Sequence, residues 1–122
     1  MATLVEDLDT PAVVIDLDIV EKNIKRAQDT LTGHGLNNRP HIKTHKIPAL
    51  AKLQMDAGAV GITCQKLGEV EVMADANVAD DMLLTYNVLG EAKTERLAAL
   101  IRRLKRMAVV LDNETMARGL SE

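Results

Sequence analysis

The sequence predicts an α/β fold of parallel β/α repeats, and three observations carry that prediction. Short β-rich runs alternate with stretches of helical periodicity along the 122 residues. The runs are apolar through both parities, the pattern of strands covered on both faces, which implies a parallel sheet with right-handed crossovers. Glycine or asparagine closes three of the helical stretches.

The elements run in order along the chain. "PAVVID" (11–16) reads as a first strand. Asp18 and Glu21 form a capping pair for a helix over about 19–32, in which Ile24, Ala27 and Leu31 recur at helical spacing and Gly33 and Gly35 mark the end. "RPHIKT" (39–44) reads as a strand, because the residue before Pro40 prefers the β region. Pro48 fits the first turn of the next helix, with Leu50, Leu53 and Ala57 on one face and Gly58 as the stop. "AVGITC" (59–64) is a strand, and Leu67, Val70 and Ala74 mark a helix that closes near Asn77. "DMLLTYN" (81–87) is a strand, and Leu97, Leu100, Ile101 and Leu104 give the clearest helical stripe. "MAVVLD" (107–112) is the last strand, and Asn113 caps a further helix that has barely begun at Glu122. A closed eightfold barrel takes about 250 residues. The chain is therefore either a small open sheet or about half of a barrel, and the unfinished last helix favours the half-barrel.

Composition narrows the class. Hydrophobic residues make up 47% and charged residues 27%, which fits a soluble globular domain, and a net charge of −3 argues against a general nucleic-acid binder. One cysteine, Cys64, excludes an intramolecular disulfide and points to a reducing compartment. "MATLVEDLDTP" lacks the basic and apolar regions of a signal peptide. No apolar run approaches the ~18 residues of a membrane span. The expected location is the cytoplasm. With no Phe or Trp and a single Tyr86, the core must be built from Leu, Val, Ile, Ala and Met.

The unusual stretch is "RPHIKTHK" (39–46), which gathers Arg39, His41, Lys43, His45 and Lys46. Alternate residues of a strand share a face, so His41, Lys43 and His45 are expected to point one way, Ile42 and Thr44 the other. Lys46 then falls at the turn into the next helix, towards solvent. Lys43 sits at the C-terminal end of a parallel strand, where α/β folds place ligands and catalysis. Neighbouring positive groups and partial burial both lower a lysine's pKa, and a lysine so tuned is a nucleophile or Schiff-base former. The competing readings are a solvated basic loop, a phosphate site at the following helix N-terminus, and a metal pair of His41 and His45. Strand geometry opposes the last, since four residues separate the rings by ~13 Å.

"DTPAVVIDLDIVEKNI", "RPHIKTHK", "VGITCQKLGEVEVMADANVADDMLLTYNVLGEAK" and "VVLDNE" together resemble the D-threonine aldolase and D-serine dehydratase-like family. These are pyridoxal-phosphate enzymes on the alanine-racemase-type barrel. The resemblance covers nearly the whole chain, and the "PHxKTHK" element is its most specific part. It implies that residues 1–122 are the N-terminal half of that (β/α)₈ barrel. Members are much longer, so the remaining strands and a C-terminal β domain are absent from this sequence. The implied function is a pyridoxal 5'-phosphate-dependent D-amino-acid lyase, cleaving a D-3-hydroxy amino acid such as D-threonine to glycine and an aldehyde, with the 122 residues alone inactive. D-serine dehydration, amino-acid racemisation and non-catalytic cofactor binding are the alternatives.

On this resemblance Lys43 matches the lysine that carries the cofactor covalently. A divalent metal is implied for the parent, with its ligands in the missing β domain. The implied partners are a small D-amino acid substrate and a second copy of the chain. His41 and His45 join Lys43 as candidate cofactor contacts. Gln65, Asn87 and Asp112 stand at or near the ends of the next three strands, which barrel geometry turns towards the site, although loop formation and helix capping are the more ordinary explanation. Thr63 and Tyr86 read as packing residues. Cys64, of opposite parity to Gln65, reads as buried against a helix.

Overall fold

The computed structural model describes residues 5–121. The expected absence of a leader draws partly on residues 1–4, which lie outside the described residues. After a 3₁₀ turn at Val5–Asp7 come α1 (Leu17–Gly33), a second 3₁₀ turn (Ile42–Thr44), α2 (Pro48–Asp56), β1 (Ile62–Cys64), α3 (Leu67–Asp75), β2 (Asp81–Leu84), α4 (Glu91–Arg103), β3 (Arg106–Val109) and α5 (Glu114–Ser121). The three strands form one parallel sheet in the order β1-β2-β3. Thr63 stands opposite Leu83, and Leu83 opposite Ala108.

Strand parity explains where the core lies. Ile62, Cys64, Met82 and Leu84 point to one face and are fully buried beneath Val70 and Met73 of α3 and Leu97 and Leu100 of α4. Truncating one of these large side chains to alanine costs about 2–5 kcal/mol. On the opposite face Leu83 and Ala108 are only half covered. Ile101, expected on the buried stripe of α4, is 51% exposed, so that stripe is narrower than its spacing implied.

Local signals set the element ends. Pro48 opens α2 at its first turn and Asn113 caps α5, its Oδ1 accepting from Met116 N at 3.0 Å. Gly35, with φ +69, lets the chain leave α1 in the left-handed region. The cap of α1 is Asp16, which accepts from Ile19 N at 3.1 Å, rather than the expected Asp18.

Two expected strands are not formed. Residues 12–16 carry no assigned secondary structure, and Val13 is 94% exposed. The β-branched run has the local preference of a strand, but among the described residues no strand pairs with it, and ladder pairing is what makes a strand. Residues 39–44 make a single parallel bridge, His41 to Thr63, and then turn into the 3₁₀ segment. The alternation expected across this stretch ends at the bridge.

Candidate active site

The turn that carries Lys43 is shaped by the two histidines of its motif. His41 Nδ1 accepts from the Lys43 backbone N–H at 3.3 Å, and His45 Nδ1 accepts from the Ile47 backbone N–H at 3.0 Å. Each ring thus serves the amide two residues on, as an Asx side chain does in a turn. At its other edge His45 Nε2 lies 3.4 Å from Gln54 Oε1 on α2. These contacts, with Lys46 N donating to Ile42 O at 2.8 Å, bend the chain where propensity alone predicted a strand. Ile42 is the turn's anchor and is fully buried.

Lys43 projects from this turn just beyond the His41–Thr63 bridge, at the C-terminal end of the sheet. It is exposed, so the partial burial expected for it is not found. Among the described residues no carboxylate pairs with it. An accessible, uncommitted amine on a constrained backbone fits covalent attachment of an aldehyde cofactor. Burial, and next the Lys43 charge, lower the pKa of His41, while Glu69 and the Thr63 backbone oppose the shift. The balance favours the neutral form of the ring beside the lysine.

Lys46 is also exposed but differs in two respects. Its φ is +55, a conformation that costs a side chain-bearing residue about 1 kcal/mol or more. Its Nζ lies 3.4 Å from Glu69 Oε1, on a carboxylate that is almost wholly buried. That oxygen has no hydrogen bond, whereas Oε2 accepts from Gln65 N at 2.7 Å. Lys46 is thus tied down and Lys43 is not.

The remaining candidates divide into two groups. Gln65 is exposed and lines a cleft with Lys46, Lys66, Tyr86 and Asn87. Asn87 Nδ2 donates to Asp112 Oδ2 at 3.0 Å, and this bond, with a second from Asn113, lowers the Asp112 pKa. The structure therefore joins Asn87 to Asp112 on the rim formed by the β2 and β3 ends, and Asn87 also lines the cleft that Lys46 and Gln65 share. Thr63 is buried as expected, but Tyr86 is half exposed, with Lys93 Nζ 5.8 Å from its ring centre. Among the described residues no three His, Cys, Asp or Glu side chains gather to hold a metal ion.

Sequence reasoning missed two residues. Thr85 lies beside His41, with Oγ1 3.4 Å from Nε2. Glu69 had a legible signal, since a glutamate at the third position of a helix reaches back to the amides before it. Here it reaches Gln65 N, across an N-cap, Lys66, that makes no side-chain cap of its own.

Fold and site together define a parallel α/β protein that presents an unpaired lysine where such folds place their chemistry. The chain is a homologue of the D-threonine aldolases and their D-3-hydroxyaspartate-acting relatives. It is 37% identical over 108 residues to a 3-hydroxy-D-aspartate aldolase of Paracoccus denitrificans, covering 88% of this chain and 28% of that protein. Over 106 residues it is 38% identical to a D-threonine aldolase of Arthrobacter sp., covering 87% and 27%. A D-threo-3-hydroxyaspartate dehydratase of Delftia sp. (strain HT23) matches at 36% over 115 residues, covering 93% and 30%. The crystal structure of a D-threonine aldolase from Filomicrobium marinum superposes with a TM-score of 0.91 at 44% identity, over 96% of this chain and 31% of that one. The α/β fold is accordingly part of an alanine-racemase-type barrel. The chain spans less than a third of the length of these relatives. No family model matches it.

Proposed function

We propose that these residues are the N-terminal part of a pyridoxal-phosphate-binding barrel domain in a D-3-hydroxy-amino-acid lyase of the D-threonine aldolase type. The observation that carries the reading is Lys43, exposed, unpaired and fixed by His41, in a chain with two aldolase relatives at 37–38% identity. Pyridoxal phosphate held at Lys43 would supply an electron sink for breaking the substrate's Cα–Cβ bond. The chain's own contribution is positional. Lys43 offers the amine, His41 and His45 set the turn that aims it, and Asn87 with Asp112 presents a polar pair on the neighbouring rim. The proton on the substrate hydroxyl and any divalent metal are assigned to residues outside these 122, as is the completion of a cytoplasmic homodimer. Relatives named for 3-hydroxyaspartate support extending the substrate class to D-3-hydroxy amino acids with a β-carboxylate. The dehydratase among them makes dehydration the second reading.

Borohydride reduction with pyridoxal phosphate, followed by peptide mapping, tests the assignment. Label is expected on Lys43, lost in Lys43→Ala and kept in Lys46→Ala. Label on Lys46 in the unsubstituted chain overturns it.

A further inference from the structure

Two contacts decide which ring nitrogen of His41 carries its proton. Nδ1 faces the Lys43 backbone N–H at 3.3 Å, and an N–H can only donate, so Nδ1 is the acceptor and Nε2 bears the hydrogen of the neutral ring. Nε2 lies 3.4 Å from Thr85 Oγ1, and that oxygen lies 3.2 Å from the Cys64 carbonyl, which can only accept. The bonds then run one way, from Nε2–H to Thr85 Oγ1 and from the Thr85 hydroxyl to Cys64 O. The opposite tautomer breaks this order twice. It sets Nδ1–H against the Lys43 N–H, and it takes the Thr85 hydroxyl away from Cys64 to serve Nε2.

We propose that Thr85 is a positioning residue, whose hydroxyl, anchored on the Cys64 carbonyl, holds His41 in the Nε2–H form so that Nδ1 fixes the backbone of Lys43. Thr85 lies 44 positions from His41 in sequence, so the contact ties the lysine turn to the end of β2. Its amide also donates to Cys64 O at 3.0 Å, which fixes the backbone from which the hydroxyl reaches. The groups that face the ring are Lys43 from its own turn, Glu69 from α3, Thr63 from β1 and Thr85 from the end of β2. Of these, Thr85 is the side chain that meets Nε2 at hydrogen-bond distance, and the Thr63 backbone hydrogen bond acts on the same ring. The role rests on the reading of Lys43 as the cofactor lysine.

Long-range ¹H–¹⁵N spectra of the His41 ring in the 122-residue chain, without cofactor, test the first half. The Nε2–H signature is expected in the unsubstituted chain and in Thr85→Ser, and a tautomer mixture in the isosteric Thr85→Val. The second half is read from the rate of borohydride-trapped attachment of pyridoxal phosphate. Thr85→Val should slow it roughly five- to tenfold, the worth of one neutral hydrogen bond, and Thr85→Ser should restore it. A Thr85→Val spectrum like that of the unsubstituted chain overturns the proposal, as does a serine variant that behaves like the valine one. Cofactor trapped on a lysine other than Lys43, with the His41 spectra as expected, leaves the tautomer assignment standing and overturns the role built on it.

Discussion

Arg39 holds Asp81 through both carboxylate oxygens, Nη1 to Oδ1 at 2.9 Å and Nη2 to Oδ2 at 2.8 Å, across 42 positions of sequence. Arg106 Nη1 adds two further contacts, at 3.3 Å to Oδ1 and 3.1 Å to Oδ2. Asp81 and Arg106 open β2 and β3. This clamp therefore sits at the end of the sheet opposite Lys43, the end that serves stability in barrels of this kind.

Asp81→Asn should destabilise the chain by about 1–3 kcal/mol, because it leaves the part-buried Arg39 guanidinium without its anion. Arg39, with Arg106, holds the Asp81 carboxyl below its ordinary value. A carboxyl whose folded-state pKa is depressed contributes stability above its unfolded value of about 3.9 and loses it as pH falls through the folded value. Urea titrations should show the two chains well separated at pH 7 and converging as the pH falls below the ordinary carboxylate range. Equal separation at pH 7 and below that range would count against the clamp.

Gly61→Ala should be costly in the same region. A Cβ at Gly61 would overlap both Arg39 Nη1 and the Asp81 backbone oxygen, and the latter belongs to a strand and cannot swing aside. Overpacking of this kind costs about 1–3 kcal/mol. A lower urea midpoint with unchanged far-UV dichroism is the expected result. In an Arg39→Ala background the part of the effect due to the guanidinium should disappear and the part due to the Asp81 backbone oxygen should persist.

Cys64 should be inert towards thiol reagents in the folded chain. Burial, reinforced by the Glu69 charge, pushes its thiol up to about 12, so almost no thiolate exists at pH 8. Labelling should appear only in denaturant. Rapid modification of the native chain would mean that β1 is not packed as described.

The 122 residues alone should self-associate. The outer edge of β3 is unpaired among the described residues, the half-covered sheet face has no partner layer, and Val13, Val14 and Ile15 are exposed together. Open edges and contiguous apolar surface both promote association. Analytical ultracentrifugation should show dimers or larger species, and a concentration-independent monomer would contradict this.

Within a full-length protein carrying this chain, D-threonine with a divalent metal should yield glycine, and a chelator should suppress it. Pyruvate from D-serine without glycine from D-threonine would favour the dehydratase reading. Interconversion of D and L forms with neither product would favour a racemase.

The parts of the fold legible in the sequence were those fixed by neighbours along the chain. Pro48, Gly35 and Asn113 set helix ends through their own backbone or side-chain chemistry, and the structure has them in those roles. Val13, Val14 and Ile15 misled because a strand needs a partner that local preference does not provide. At 39–44 Pro40 biased the chain correctly up to the His41 bridge. Beyond the bridge the path of the backbone depends on a histidine ring accepting an amide proton, which neither periodicity nor propensity registers. Gln65, Asn87 and Asp112 were singled out because they stand at or near the ends of expected strands, which barrel geometry turns towards the site. That Asn87 would bond Asp112 depended on the register of β2 against β3, which appears only in the folded sheet.

The paired imidazole caps also bear on how this motif should be searched for. A histidine beside a reactive lysine invites comparison with proton-transfer residues, yet both rings here spend Nδ1 on holding a main-chain amide in place. Asparagine presents an oxygen at nearly the same reach and stabilises such turns by the same bond. A pattern that insists on histidine at both positions would therefore pass over proteins in which asparagine does the bending, and the lysine between them is the letter to hold fixed.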